Sequence, residues 1–426
     1  HTDSSAASDV YKRQTKSYVR DFIYRISETS EVRDRRYEFI IIDDASINAF
    51  AAPGGIIGIN TGMFIKTETE GQFASVMCHE LAHLSQRHYA RSQQNSNPLT
   101  NALILLGSVA TAVVTANPQA ILIAPALIQQ LTTNYTRENE READRIGFRN
   151  LVNAGFDPRS QSQMFQILQK SQGGINEEYS YLFTHPIPKE RITDAKIREE
   201  NIDNQSNYRN SLEFYLVKAR TEVANSKNLN SLKDFYLSKQ KNNDNKIKLY
   251  KKYGLSLILK RQKKYEESFK AARELLKEIP SNLIFQTNIL EIHLAEGNSL
   301  EAISVGEKLL NINSNNFSIS YYLAKAYILD NKPEKAEVIL INLSKENPRD
   351  PAVWYELAEA QGLAGNIIGL HRSRAEYFIL TGRYDSAIFQ LREGLKLSKN
   401  FFEIRESIIN KLEQIYKTKR ALKDLT

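Results

Sequence analysis

"CHELAHLSQRH", residues 78–88, decides how the first half of this chain is read. Residues four apart on an α-helix share one face, so His79 and His83 can present imidazole nitrogens to one tetrahedral ion. Glu80 is rotated by about 100° from His79 and lies beside such an ion rather than on it. There it can take a proton from an attacking water and hand it to a leaving amine. The competing reading is an exposed helix turn with incidental histidines. Against it stands the preceding "FASVM" (73–77), which reads as a buried helix.

Around the motif the chain is mixed in pattern. "YEFIIIDDASINAFAAPGGIIGINTGMF" (37–64) holds strand-like runs at Phe39–Ile42 and Ile56–Ile59, with the turn signal Pro53-Gly54-Gly55 between them. A helix is expected from about Glu70 to Arg91. Asn48, Ala49, Phe50 and Ala51 read as an edge strand to which an extended peptide could add by main-chain hydrogen bonding; a plain hairpin edge is the alternative. Ser92–Thr136 carries no charge, and its apolar runs 102–114 and 120–128 are each too short to span a bilayer. They suggest a helical hairpin packed on the domain, with a membrane-facing role as the other possibility. "NEREADRIGFRNLVNAGFDP" (139–158) reads as a helix closed near Gly155. "YLFTHPIPKERITDAK" (181–196) reads as a Pro-punctuated loop entering another.

From about Tyr208 a period appears. Ser268, Ala302 and Ala336 are 34 apart in similar contexts, "YEESFKAA", "SLEAISVG" and "PEKAEVIL", and Pro280 and Pro348 each follow the small residue by twelve. A 34-residue period with small residues where helices cross resembles the tetratricopeptide repeat. Ala387, in "LTGRYDSAIFQLREGL", falls 51 residues after Ala336, one and a half periods. One helix near Asn366–Leu380 would then serve two helical pairs. Leu212–Leu249 reads as an atypical, capping pair. Such an array offers a concave binding surface, not a catalytic one.

The bulk numbers exclude little else. The net charge of +7 comes from 57 basic and 50 acidic residues, so the surface is mixed. Lys246–Lys264 alone is one-sided, with eight basic residues and no acid, and suits a solvated helix face or an anionic partner. No nucleic-acid-binding motif accompanies it. The single cysteine, Cys78, rules out an internal disulfide.

"HELAH" followed by "ENEREADRIG" resembles the M48-type (HtpX-like) zinc metalloproteases. The resemblance implies one Zn2+ per chain, with Glu140 as third ligand; the motif phase selects it over Glu138 and Glu142. Asp144, one turn on, is placed to orient a ligating histidine. "HELAHLSQRHYAR", "THPIPKERITDA" and the repeats together are similar to the periplasmic β-barrel assembly-enhancing proteases. That group implies that His185 can fill the ion's fourth position, leaving the enzyme latent until it swings away. Arg191 also matches the loop and would pair with a carboxylate or a substrate carbonyl. His88 matches the pattern, yet lies off the ligand face and is read as structural.

The expected architecture is mainly α: a zincin-like metalloprotease domain with a small sheet over 15–205, then an α-solenoid of tetratricopeptide repeats over 206–426. Residues 1–14, containing "SSAASDVYKRQ", look like translated sequencing adapter, so a signal peptide is expected to have been lost. The implied activity is a zinc endopeptidase for misfolded or misassembled outer-membrane proteins in the periplasm. Its expected partners are stalled substrates and the barrel-assembly machinery, with peripheral membrane contact possible and no nucleic acid. The alternative is a chaperone or scaffold whose protease activity is secondary. A membrane-anchored peptidase is a third reading.

Overall fold

The computed structural model describes residues 2–88, 136–170, 181, 185–186, 189–202, 210–238, 244–314 and 316–423. The apolar hairpin expected at 102–128 lies outside the described residues. The chain divides into two compact units, and among the described residues the division falls between Gly254 and Leu255.

In the first unit, α1 (Thr2–Ser27) precedes strands β1 (Glu38–Ile42), β2 (Ala49–Ala52) and β3 (Ile56–Asn60). The sheet order is β1-β3-β2, with β1 parallel and β2 antiparallel to β3. The Pro53-Gly54-Gly55 turn joins β2 to β3. Gly55 has φ +79°, and a Cβ on it would stand 2.0 Å from the Arg36 carbonyl oxygen, so a side chain there meets both strain and backbone. Helices α2 (Gly62–Lys66), α3 (Glu70–Ser85), α4 (Arg137–Asn153), α5 (Arg159–Lys170) and α6 (Lys189–Glu200) follow. Next come α7 (Leu212–Asn225), α8 (Leu229–Leu237) and α9 (Asn245–Arg261), and the division between the units falls within α9.

α3 opens with a capping box. Gln72 N–H donates to the Thr69 hydroxyl, and the Gln72 side chain accepts from the Thr69 amide. Every residue from Glu70 to His83 is buried, so this helix is surrounded, not amphipathic. Phe73 packs on Phe22 of α1 at 5.0 Å and stacks on Phe64 of α2 at 4.8 Å, with Phe214 of α7 at 6.3 Å. Glu70 is fully buried and bound from three directions: by the Tyr18 hydroxyl (2.8 Å), the Arg25 guanidinium (3.1 Å) and the Ser211 amide (2.6 Å). Lys218 Nζ donates to the carbonyls of Phe64, Ile65 and Thr67, closing the end of α2.

The second unit is helical. α10 (Tyr265–Glu278), α11 (Leu283–Glu296), α12 (Ser299–Ile312) and α13 (Phe317–Leu329) are followed by α14 (Pro333–Glu346), α15 (Pro351–Leu363), α16 (Ile367–Leu380), α17 (Tyr384–Leu397) and α18 (Phe402–Lys423). Ser268, Ala302, Ala336 and Ala387 all sit at the fourth position of α10, α12, α14 and α17, and all are fully buried. α16 packs on both α15 and α17, which is how a spacing of one and a half periods is accommodated.

Candidate metal centre

Two helices and one loop residue build the centre. α3 carries His79, Glu80 and His83, while α4 carries Glu140 and Asp144. The buried positions 140, 143, 144, 147 and 151 form one stripe of α4 against α3. The helices approach closely at Gly147, where a Cβ would stand 3.0 Å from both the Cα and the N of His79. Only glycine lets the helices approach this closely, and that approach brings Glu140 to the histidines.

The ligand atoms of His79, His83, Glu140 and His185 all lie within 4.8 Å of one another, and all four residues are buried. His79 Nε2 and His83 Nε2 are 2.9 Å apart. Glu140 Oε1 is 3.3 Å from His83 Nε2 and 2.9 Å from His185 Nδ1. His185 Nδ1 is 3.4 Å from His79 Nε2. The ring of Tyr181 stacks on His185, with centroids 4.5 Å apart, and the Tyr181 amide donates to the Ile47 carbonyl. The pairing of three imidazoles with one carboxylate is a zinc donor set. Glu80 adds a second sign of fit: its Oε1 is buried and has no hydrogen-bond partner among the described residues.

The electrostatics follow from burial and proximity. Burial opposes a charge on His79, yet Asp144 and Glu140 outweigh it and raise the imidazole to about 9. Burial, together with the charged His79 beside it, holds His83 well below its ordinary value, which keeps its lone pair available. Burial raises the Glu80 carboxyl, the direction that suits a base working near neutrality. Glu140 is held well below the usual carboxylate range: burial opposes ionisation, but His185, His79 and His83 outweigh it. For Asp144 burial is likewise outweighed, first by Arg191, leaving the carboxyl at about 2.

Arg191 pairs with carboxylates. Its Nε and Nη2 donate to the two oxygens of Asp144 at 2.7 and 2.8 Å, and its Nη1 lies 2.7 Å from Glu140 Oε2. Nη1 also donates to the Pro186 carbonyl at 2.6 Å, tying the loop beside His185 to α4. Asp144 Oδ1 in turn lies 3.0 Å from His79 Nδ1. The segment Asn48–Ala51 contains the start of β2, the terminal strand of the described sheet, but all four residues are buried in this conformation. Two neighbours complete the surroundings: Tyr181, which sequence reasoning missed, and His88, which it read as structural. Tyr181 precedes His185 by one helical-turn spacing and carries no motif. His88 is fully buried against His83, with their Nδ1 atoms 2.9 Å apart.

Comparison with known proteins identifies the family. Residues 13–199 match peptidase family M48, and residues 293–360 match the tetratricopeptide repeat. The β-barrel assembly-enhancing protease of Escherichia coli is 33% identical over 83% of this chain and 73% of its own length. A putative β-barrel assembly-enhancing protease of Vibrio cholerae is 30% identical over 87% of this chain and 78% of its own. The mitochondrial metalloendopeptidase OMA1 of Schizosaccharomyces pombe is 29% identical over 44% of this chain and 56% of its own. The chain is a zinc metalloendopeptidase with tetratricopeptide repeats and belongs to peptidase family M48.

Proposed function

We propose that His79, His83 and Glu140 hold the zinc ion, that Glu80 is the general base and then the general acid, and that His185 is a removable fourth ligand. The convergence of four donor atoms within 4.8 Å carries this reading. A bound zinc ion supplies Lewis acidity, polarising the scissile carbonyl and acidifying water. The remaining work falls to side chains. Glu80 takes a proton from the attacking water as oxygen adds to the carbonyl carbon. It returns that proton to the amide nitrogen as the C–N bond breaks. Asp144 and Arg191 hold His79 and Glu140 in place.

With His185 among the ligands, no position is left for substrate, so the resting enzyme is latent. The loop and an extended substrate also compete for one place, because Tyr181 is bonded to Ile47 directly before Asn48–Ala51. Loss of His185 from the cluster would free both. Such gating suits an enzyme that works among unfolded chains. By analogy with the relatives' names, the substrates are misassembled outer-membrane barrels in the periplasm, and the repeats bind the assembly machinery. The inward His185 also favours a second reading, in which the chain serves mainly as a scaffold.

Metal analysis of the purified protein tests the site: stoichiometric zinc, lost in His79→Ala and in Glu140→Ala, is expected. Zinc retained in Glu140→Ala overturns the third-ligand assignment. His185→Ala should raise peptidase activity; an unchanged rate removes the latch. In cells lacking the normal protein, full rescue of the outer membrane by Glu80→Gln selects the scaffold.

A further inference from the structure

α3 ends at Ser85, and the chain then turns sharply. Gln86 closes the helix, and Arg87 takes a left-handed backbone, with φ +53°. Had the helix continued, His88 would point about 140° away from His83, five residues on. The left-handed residue instead folds His88 back beneath His83. A non-glycine residue is disfavoured in this conformation, so the turn is held by its contacts. Those contacts form a chain. His88 Nε2 is 3.0 Å from Glu142 Oε2, and His88 Nδ1 is 2.9 Å from His83 Nδ1. Both histidines are buried, while the Glu142 side chain reaches the surface at 30% exposure.

The proton positions follow in order. A carboxylate only accepts, so His88 Nε2 carries the proton donated to Glu142. With a single ring proton placed there, His88 has a bare Nδ1, which accepts. The proton between the two Nδ1 atoms therefore belongs to His83. That leaves His83 Nε2 with its lone pair, aimed at His79 Nε2, Glu140 and the ion's place. The hydrogen bond made by one ring nitrogen sets which form of the other is presented.

We propose that Glu142 and His88 are positioning residues that fix His83 as its Nδ1–H tautomer and so present Nε2 to the metal. The proposal rests on His83 being a zinc ligand. It gives each helix histidine its own anchor on α4: Asp144 for His79, and Glu142, through His88, for His83. Reversal of the relay would put a proton on His83 Nε2, where it excludes zinc.

Zinc affinity, measured by competition with a chromophoric chelator on the full chain, tests this without reference to activity. His88→Leu removes the acceptor and should weaken zinc by about 10- to 100-fold. His88→Asn keeps an acceptor oxygen near the Nδ1 position and should recover most of that loss. Equal affinity in the parent and His88→Leu overturns the relay, as does an equal loss in both variants, which would show that the ring only fills space. Should His88→Leu fail to fold, as judged by its melting curve, Asn alone still decides: near-parental affinity supports the relay and a full loss overturns it. His79→Ala separates the levels. Zinc lost there but unchanged in His88→Leu removes only the relay, whereas a parent without zinc removes the metal reading and the relay with it.

Discussion

Glu80 and Asp144 are both buried carboxyls beside the same imidazoles, and their surroundings push them in opposite directions. For Glu80, burial outweighs the pull of His185, whose Nε2 is 3.6 Å from Oε1, so its carboxyl rises and can cycle a proton. Glu80→Gln keeps the shape and removes the base. It should cut kcat/KM by about 10^2- to 10^4-fold while zinc content stays at the parental value. A cleavage assay run beside metal analysis checks both, and a fast Gln variant would remove Glu80 from the chemistry. Asp144 is locked by Arg191. Its value of about 2 against an ordinary 3.8 corresponds to roughly 2 kcal/mol of folding stability. Because the folded value is depressed, that stability is fully present above 3.8 and drains as pH falls towards 2. In zinc-free protein, the gap in unfolding free energy between parent and Asp144→Asn should therefore narrow as pH drops through this window. A constant gap would show that the ion pair is not its source.

At the scale of elements, the sequence made the ligand geometry legible wherever it rides on helix periodicity. His79 and His83 lie one turn apart on α3, and Glu140 and Asp144 one turn apart on α4, as their spacing predicts. The repeats were equally legible, since a small residue recurring every 34 positions must lie where helices cross, at the fourth position of α10, α12 and α14. What stayed hidden breaks that periodicity. The helix expected to reach Arg91 stops at Ser85, because Arg87 turns left-handed, and so His88 reaches a partner that helical geometry would deny it. The composition change near residue 206 suggests that α7 belongs with the repeats. Its contacts through Phe214 and Lys218 instead join it to α2 and α3, and such long-range packing leaves no local signal. Gly147 was visible as a letter of the α4 motif, but its reason is tertiary. In Gly147→Ala the new methyl meets His79 backbone, which cannot yield, so α4 must retreat and take Glu140 with it. A stability loss of about 1–3 kcal/mol is expected, together with weaker zinc binding. Melting curves and chelator competition measure the two, and parental values for both would mean that the helices are not in close contact there. Ala336→Leu makes the parallel test in the repeats: a loss of about 1–3 kcal/mol with zinc affinity unchanged.

For the whole molecule, the division between Gly254 and Leu255 separates the candidate metal ligands from the repeat helices. Every candidate ligand lies before it, and α10–α18 lie after it. A ligand stabilises only the cooperative unit whose folded form binds it, by about 2.7 kcal/mol at a free concentration 100 times its dissociation constant. Zinc must therefore act on one part of the thermal profile. Calorimetry of the full chain should resolve a transition that moves down when zinc is chelated and returns when zinc is restored. A second transition, from the repeat helices, should stay where it was. His79→Ala should reproduce the chelated profile without chelator, and Ala336→Leu should lower only the transition that zinc leaves alone. If chelation and Ala336→Leu each shift the whole profile together, the chain unfolds as one cooperative unit, and the repeats would contribute stability to the metal centre as well as a surface for partners.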